Sequence, residues 1–211
     1  MAYLEKKDLF SEALSFAKGA LFLDRDGVII EDCHYIKSAS EVRLEAGARH
    51  LIEQASQNNV PVVIVTNQSG IGRGLLTWND CTNVNKRMLE LLGSEKYVAA
   101  IYANAHCDQT QKDSWRKPGP GMILEAARDL NIDLNRSVII GDRESDMLAG
   151  INAGIKYLFH VLTGHGMNEK KNVKALFDYA LQNHEIIIGL QGNDIESHRS
   201  TLDRLMSEMA T

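Results

Sequence analysis

The sequence predicts an α/β fold with a doubly wound parallel sheet, because short apolar strands alternate with amphipathic helices from residue 20 onward. Uniform apolar runs, which are typical of strands buried on both faces, lie at 20–23, 60–65, 98–103 and 138–140. Several of these runs lead directly into polar residues. Ligands bind at the carboxyl ends of strands in open α/β sheets, so the same pattern predicts where a functional site lies.

Composition limits the class of protein. The chain has 211 residues, of which 44% are apolar and 24% charged, as in one globular domain or two small ones. Its net charge of −5, with both signs scattered along the chain, argues against a nucleic-acid partner, which favours a basic stripe. The three cysteines, Cys33, Cys81 and Cys107, are widely spaced and predict reduced thiols rather than a disulfide framework.

The first 18 residues carry charges throughout, so we expect no signal peptide. No apolar run approaches the roughly 20 residues of a membrane span. We therefore expect a cytoplasmic protein without a membrane partner.

An amphipathic helix docked on the body is predicted over 3–18; a partner-binding helix is the alternative. The apolar residues at near-helical spacing are Leu4, Phe10, Leu14 and Ala17. The sequence thus predicts an N-terminal helical extension over 1–19 and one main domain over 20–211.

The first polar group, Asp24 and Asp26, lies at the carboxyl end of the predicted strand 20–24, and Gly27 then allows a turn. Two acids this close raise each other's pKa unless a cation intervenes, and Mg²⁺ prefers hard oxygen ligands. An ionised aspartate can attack phosphorus, and a second can serve as acid and then base. The alternative is a β-turn with solvated acids.

The second polar group, Thr66 and Asn67, follows the strand 60–65 and leads into a glycine-rich stretch over 68–74. Thr66 offers a hydroxyl, the glycines let backbone N–H groups approach an anion, and Arg73 can hold a second phosphate or a sugar substituent. The alternative is a flexible loop.

Between and after these groups the periodicity predicts the remaining elements. Thr77 is the expected N-cap and Gly93 the expected end of a helix over 78–92. The other predicted helices lie at 47–58, 121–130, 146–153, 170–182 and near the C-terminus, and the other strands at 98–103, 137–142 and 157–162. Residues 185–190 predict either an edge strand or a helical continuation.

Two more polar groups complete the pattern. Lys117 follows a polar loop over 104–116 and directly precedes a predicted helix. The N-terminus of a helix carries partial positive charge, so a lysine there is mildly unfavourable, and this hints at a functional role. Asp142 ends the strand 137–142, and Asp146 follows it. His34, in the long connection 28–46, either faces a substrate or is incidental.

Right-handed crossovers bring the carboxyl ends of parallel strands to one edge. We therefore expect one hydroxyl, one lysine and three acids to meet there. Such a set suits phosphoryl transfer, in which catalysis is positioning plus charge neutralisation.

Four motifs, which span about residues 20–165, resemble those of the haloacid dehalogenase (HAD) superfamily of phosphatases: Asp24-Arg-Asp-Gly, Thr66-Asn-Gln-Ser-Gly, Lys117-Pro and Gly141-Asp142 to Asp146. The stretches TNQSGIGRG and RKPGPGM are similar to those of D-glycero-D-manno-heptose 1,7-bisphosphate phosphatases, and histidinol-phosphate phosphatases share much the same motifs. The resemblance implies a Rossmann-like domain with little or no cap. It also implies a Mg²⁺-dependent phosphatase of carbohydrate metabolism that acts on a small phosphorylated metabolite.

The resemblance also implies roles. Asp24 is the expected nucleophile, and Asp26 the expected acid and then base, with its carbonyl on Mg²⁺. Thr66 and Lys117 are expected to hold and neutralise the phosphoryl group, with Asp146 supporting the metal. The expected catalytic residues are thus Asp24, Asp26, Thr66 and Lys117, the substrate contacts Asn67, Arg73 and Arg116, and the metal ligands Asp24, Asp26 and Asp142.

One departure from the heptose enzymes concerns their zinc loop, built from Cys-x-His and a later Cys-x-Cys before the Arg-Lys-Pro segment. Asn104, Asp113 and Trp115 stand at cysteine positions here, and only His106 matches, with Cys107 beside it. A structural zinc site needs four good nitrogen or sulfur ligands. We therefore expect no zinc, and a loop held by packing that includes Trp115.

Insertions are too short for a large cap, so we expect an open site closed by loops 28–46 and 104–116, in a monomer or weak homo-oligomer. Two other classes of protein are disfavoured. A phospho-accepting receiver module carries its aspartate after the third strand, but here that strand ends at Ala103 and Asn104. A catalytically inactive binding protein of the same fold is disfavoured because all four motifs are intact.

Overall fold

The computed structural model describes residues 4–11, 18–93, 97–107 and 114–209. Their strands form one sheet in the order β1-β4-β3-β2-β5-β6-β7, parallel throughout except for the antiparallel pair of β1 and β4. The strands are β1 (Glu5–Leu9), β2 (Leu21–Leu23), β3 (Val62–Asn67), β4 (Ala100–Asn104), β5 (Val138–Gly141), β6 (Tyr157–Val161) and β7 (Ile188–Gly192). The predicted α/β parallel sheet is confirmed.

Helices cover both faces of this sheet. They are α1 (Ala48–Gln57), α2 (Ser69–Gly72), α3 (Trp78–Leu92), α4 (Gly121–Leu130), α5 (Glu144–Ala153), α6 (Gly166–Gln182) and α7 (Arg199–Met209). Successive residues of a strand point to opposite faces, so Leu21 and Leu23 pack on the side of α1, α3 and α7. Phe22 packs on the side of α4, α5 and α6. The central strands are therefore buried on both faces, as their uniform apolar sequences indicate.

Helix α3 begins where the sequence predicts. The Thr77 hydroxyl accepts a hydrogen bond from the Asp80 backbone N–H at 3.1 Å, and the Asp80 carboxylate accepts the Thr77 backbone N–H at 2.8 Å. This reciprocal pair satisfies two donors that the first turn leaves unpaired. Gly93 ends the helix with a φ of 101°, a conformation that favours glycine.

The predicted helix over 3–18 is wrong in the part that the structure describes. Residues 5–9 form β1, which pairs with β4 so that Lys7 lies opposite Tyr102. Pairing satisfies the outer backbone groups of β4, a long-range gain that local periodicity does not report. Residues 12–17 lie outside the described residues, and the division into 1–19 and 20–211 stays a prediction.

The structure also defines the strand β7 and the start of helix α6, near the C-terminus. Residues 188–192 form the edge strand β7, parallel to β6, so the helical alternative for 185–190 is wrong. Helix α6 begins at Gly166, four residues before the predicted start. Among the described residues, no helix combines the length and apolar character that crossing a membrane requires.

Candidate active site

A pocket of about 800 Å³ opens at the carboxyl ends of the central strands. All the predicted catalytic and substrate residues line it: Asp24, Asp26, Thr66, Asn67, Arg73, Arg116 and Lys117. Asp142 is fully buried, with a carboxylate oxygen within 4.8 Å of oxygens of Asp24 and Asp146, and Asp146 forms part of the pocket wall. The parallel topology thus brings together residues that are about 120 positions apart in the sequence.

Lys117 sits buried between two carboxylates. Its Nζ donates to Asp24 Oδ1 at 2.8 Å and to the Val65 carbonyl at 2.8 Å, and lies 2.6 Å from Asp146 Oδ1. Burial opposes its charge, but Asp146 and Asp24 outweigh burial and raise the pKa of Lys117 above its usual range. The lysine is therefore a permanent positive charge at the centre of the site.

The acidic cluster consists of Asp24, Asp142 and Asp146, which each offer an oxygen within 4.8 Å of the others. Burial raises the pKa of Asp24 to about 7, although Lys117 opposes that rise. Burial, with help from Asp146 and then Asp24, raises the pKa of Asp142 to about 9. Within the described residues, one lysine faces three buried acids, so the cluster carries excess negative charge once all three are ionised.

Asp142 has an oxygen that no described residue binds. Its Oδ2 accepts the His165 backbone N–H at 2.7 Å, whereas Oδ1 is buried without a hydrogen-bond partner among the described residues. Buried carboxylate oxygens are normally bonded, so an orphaned one indicates a missing partner. Carboxylate oxygens and excess negative charge fit a hard divalent cation such as Mg²⁺.

Asp26 is held apart from this cluster. The Arg25 guanidinium grips both its oxygens at 3.0 to 3.3 Å, and Gln68 Nε2 donates to its Oδ2 at 2.8 Å. Gln68 Nε2 also lies 2.8 Å from Thr66 Oγ1, and buried Arg25 reaches Asn85 Oδ1 at 2.9 Å. The Asp26 carboxylate is thus fixed beside the Thr66 hydroxyl rather than in the acidic cluster.

The predicted substrate contacts have protein partners of their own. The Asn67 side chain accepts the Lys117 backbone N–H and donates to the Lys117 carbonyl, both at 3.1 Å, which clamps the lysine segment. Arg116 donates to the His106 carbonyl at 2.9 Å, and Arg73 donates to the Tyr35 hydroxyl at 2.9 Å. Asn67 therefore positions Lys117, while both arginines remain at the pocket wall.

Sequence reasoning missed three residues of the site: Arg25, Gln68 and His165. Arg25 and Gln68 lie inside the first and second motifs, so the motifs themselves are the signal that points to them. His165 lies in a Gly-His-Gly turn that periodicity marks only as a turn.

The loop 104–116 is partly described. The Trp115 ring packs against Tyr102 with centroids 5.6 Å apart, which confirms the predicted packing. His106 Nε2 lies 3.3 Å from Glu5 Oε1, and Cys107 Sγ lies 3.5 Å from the Ser69 carbonyl. Asp113 lies outside the described residues.

Comparison with known proteins matches this geometry. A family model described as HAD-hydrolase-like matches residues 114–183. The D-glycero-beta-D-manno-heptose-1,7-bisphosphate 7-phosphatase of Mesorhizobium japonicum is 43% identical over 143 residues, 64% of this chain and 66% of that protein. The protein of the same name from Helicobacter pylori strain J99 is 36% identical over 167 residues, 76% of this chain and 95% of that protein.

A solved structure agrees with the sequence comparison. The D,D-heptose 1,7-bisphosphate phosphatase from B. bronchiseptica, complexed with magnesium and phosphate, has a TM-score of 0.70 and 28% identity. The match covers 90% of this chain and 99% of that one. The chain therefore belongs to the HAD superfamily of phosphatases, in the family of the heptose bisphosphate phosphatases, and is an enzyme that hydrolyses phosphoric monoesters.

Proposed function

We propose that this phosphatase acts on a heptose 1,7-bisphosphate through an aspartyl-phosphate on Asp24, with Mg²⁺ as its cofactor. The observation that carries the mechanism is the contact of Lys117 with both Asp24 and Asp146, next to an Asp26 carboxylate held by Arg25. The names of the two bacterial relatives support the substrate.

Mg²⁺ would be held by the Asp24 carboxylate, the Asp26 carbonyl and Asp142. The orphaned Asp142 oxygen and the excess negative charge of the acidic cluster support this assignment. Asp146, which accepts the Arg143 backbone N–H at 3.0 Å and contacts Lys117, would orient the lysine. When bound, the ion supplies positive charge that lets an anionic carboxylate and an anionic phosphate approach each other.

In the first step, the Asp24 carboxylate attacks phosphorus, and the bond from phosphorus to the ester oxygen breaks. Protonated Asp26 gives its proton to that departing oxygen, so the sugar leaves as an alcohol. Lys117 and the Thr66 hydroxyl hold the phosphoryl oxygens, because both are buried polar groups that line the pocket.

In the second step, water attacks the phosphorus of the aspartyl-phosphate. Asp26, now ionised, takes the water proton, and the bond between phosphorus and Asp24 breaks. Phosphate leaves, and both carboxyls return to their starting protonation states. Arg25 and Gln68 both donate to the Asp26 oxygens, an arrangement that suits the ionised carboxylate that takes the water proton.

A substrate panel tests the proposed function. Phosphate release would be measured with Mg²⁺ on both anomers of heptose 1,7-bisphosphate, on histidinol phosphate and on several hexose phosphates. We expect kcat/KM for one heptose anomer to exceed the other values by on the order of a hundredfold, because a second phosphate adds charged contacts. Even activity across the panel would reject the heptose substrate while retaining the phosphatase chemistry.

Magnesium binding should depend on pH. The pKa values of Asp24 and Asp142 are raised to about 7 and about 9, so part of the cluster is protonated at neutral pH. A cation must displace those protons, so its apparent affinity rises as pH rises through this window. We expect a larger Mg²⁺-induced increase in Tm at about pH 8 than at about pH 6. An equal increase at both pH values would contradict proton-coupled binding at the acidic cluster.

Gly27 offers a steric test of the same cluster. A Cβ at Gly27 would lie 2.7 Å from Asp142 Oδ2, and its φ is 82°. Gly154 is a matched control, because its φ is 90° and a Cβ added there would meet no atom within 4 Å. Both alanine variants bear a backbone cost of about 1 kcal/mol. We expect only Gly27→Ala to weaken Mg²⁺ binding, by about tenfold, measured by calorimetry. Equal affinities in both variants would remove Asp142 from the metal site.

A further inference from the structure

A second group of metal-ligating side chains lies at the rim of the pocket and has no part in the mechanism above. Asp32 and His34 come from the connection after β2, and His165 comes from the turn before α6. All three line the pocket, and one possible ligand atom of each lies within 4.8 Å of the others. We propose that Asp32, His34 and His165 form a site for a divalent transition-metal ion, separate from the acidic cluster.

Asp32 lies at the centre of this rim site. Its Oδ2 is 2.9 Å from His165 Nε2, and its Oδ1 is 3.8 Å from His34 Nδ1. Ligands about 2.0 to 2.2 Å from one ion in tetrahedral geometry are separated by roughly 3.3 to 3.6 Å. The Asp32–His165 distance lies about 0.4 Å below this range and the Asp32–His34 distance about 0.2 Å above it, so small rotations of the two rings would place all three ligands around one ion.

Two of the three ligands are already fixed. The Asp32 side chain is only 14% exposed, and its Oδ1 accepts the His34 backbone N–H at 3.0 Å. The His165 backbone N–H donates to Asp142 Oδ2 at 2.7 Å. This hydrogen bond fixes the backbone position from which the His165 side chain extends. The His34 side chain, 81% exposed, remains free to close on an ion.

The chemistry of the donors selects the class of ion. Two imidazole nitrogens and one carboxylate oxygen suit first-row transition metals, whereas Mg²⁺ and Ca²⁺ prefer oxygen alone. Three protein ligands leave coordination positions open. Because all three side chains line the pocket, those positions are available to water or to an oxygen of a bound substrate. The rim site uses different loops from segment 104–116, where the absence of a zinc loop is expected.

Co²⁺ alone is a suitable probe, because nitrogen ligands and low coordination number intensify its visible absorption. It would be titrated into the full chain in a large excess of Mg²⁺, which occupies the acidic cluster. We expect one Co²⁺ per chain with this absorption. His34→Gln and His165→Gln should each weaken Co²⁺ binding at least about tenfold. Loss of a residue that only supports a metal ligand already lowers metal affinity by about that factor, and here the ligand itself is lost. His184→Gln, at an exposed histidine outside the pocket, should bind Co²⁺ as the unmodified protein does.

The His34→Gln variant separates metal binding from folding. The His34 side chain is 81% exposed, so replacing it leaves no cavity in the core. Absence of Co²⁺ binding by the unmodified protein would overturn the proposal. Equal binding by His34→Gln would overturn it as well, since Asp32 and His165 would then form only an ion pair. Equal weakening in His184→Gln would indicate adsorption to surface histidines and would also reject the site.

Discussion

Asp24→Asn should abolish phosphate release, with a loss in kcat on the order of ten-thousandfold or more. An amide oxygen carries no negative charge and is a poor nucleophile for phosphorus. The substitution also replaces the anion that Lys117 contacts at 2.8 Å, so the lysine loses its charged partner at that position. Initial rates with Mg²⁺ on the preferred substrate would measure the loss.

Asp178→Asn is the matched control, because Asp178 is an exposed aspartate on α6 whose carboxylate lies 4.0 Å from Lys174 Nζ, away from the pocket. We expect its rate to equal that of the unmodified protein. Acid quenching during turnover should also trap phosphate on a peptide containing Asp24 in the unmodified protein. Equal phosphate release by Asp24→Asn and the unmodified protein would disprove the nucleophile assignment.

Lys117→Met should lower the free energy of unfolding of the metal-free protein by about 3 to 5 kcal/mol. The substitution leaves the carboxylates of Asp24 and Asp146 buried without the cation that both contact. It should also reduce kcat/KM by about a hundredfold to a thousandfold, because the phosphoryl charge loses a fixed donor. Denaturant titration and initial rates would measure the two effects.

A double variant distinguishes charge from packing. Adding Asp146→Asn removes one of the two stranded charges, so we expect Lys117→Met with Asp146→Asn to recover part of the lost stability. The surface control is Lys174→Met, whose side chain is 71% exposed, with an expected change within about 0.5 kcal/mol. If Lys117→Met unfolds like Lys174→Met, the buried ion pairs do not stabilise this site.

The sequence predicts those residues of the site that directly follow the carboxyl ends of parallel strands. Apolar runs identify the strands, and the topology of parallel sheets carries Asp24, Thr66 and Asp142 to one edge without reference to any side-chain contact. The helix N-cap at Thr77 was predictable because capping is a local interaction. The motif indicates Asp146 as a supporting acid, but its contact with Lys117 depends on the distance between two helix starts, which the sequence does not contain.

The failures have physical causes of a different kind. The strand β1 gains its stability from pairing with β4, more than 90 positions away, whereas the predicted helix rested on spacing within 16 residues. Arg25 and Gln68 act through long side chains, whose reach and direction depend on neighbours such as Asn85 on α3. The Asn67 amide shows the same limit: the sequence gives no sign of its two hydrogen bonds to the Lys117 backbone, and its contact with substrate stays a prediction. A sequence pattern therefore places a residue on an element of the fold, but it does not determine which group that residue's side chain will contact.

The position of β1 constrains the order in which the chain assembles during synthesis. Its partner β4 emerges from the ribosome about 90 residues later, a delay on the order of ten seconds. Until then the segment lacks its strand partner, which leaves it open to association with other nascent chains. Four of its five residues, Glu5, Lys6, Lys7 and Asp8, are charged, and such charges discourage edge-to-edge pairing. We therefore expect β1 to dock late, onto a parallel core that has already formed.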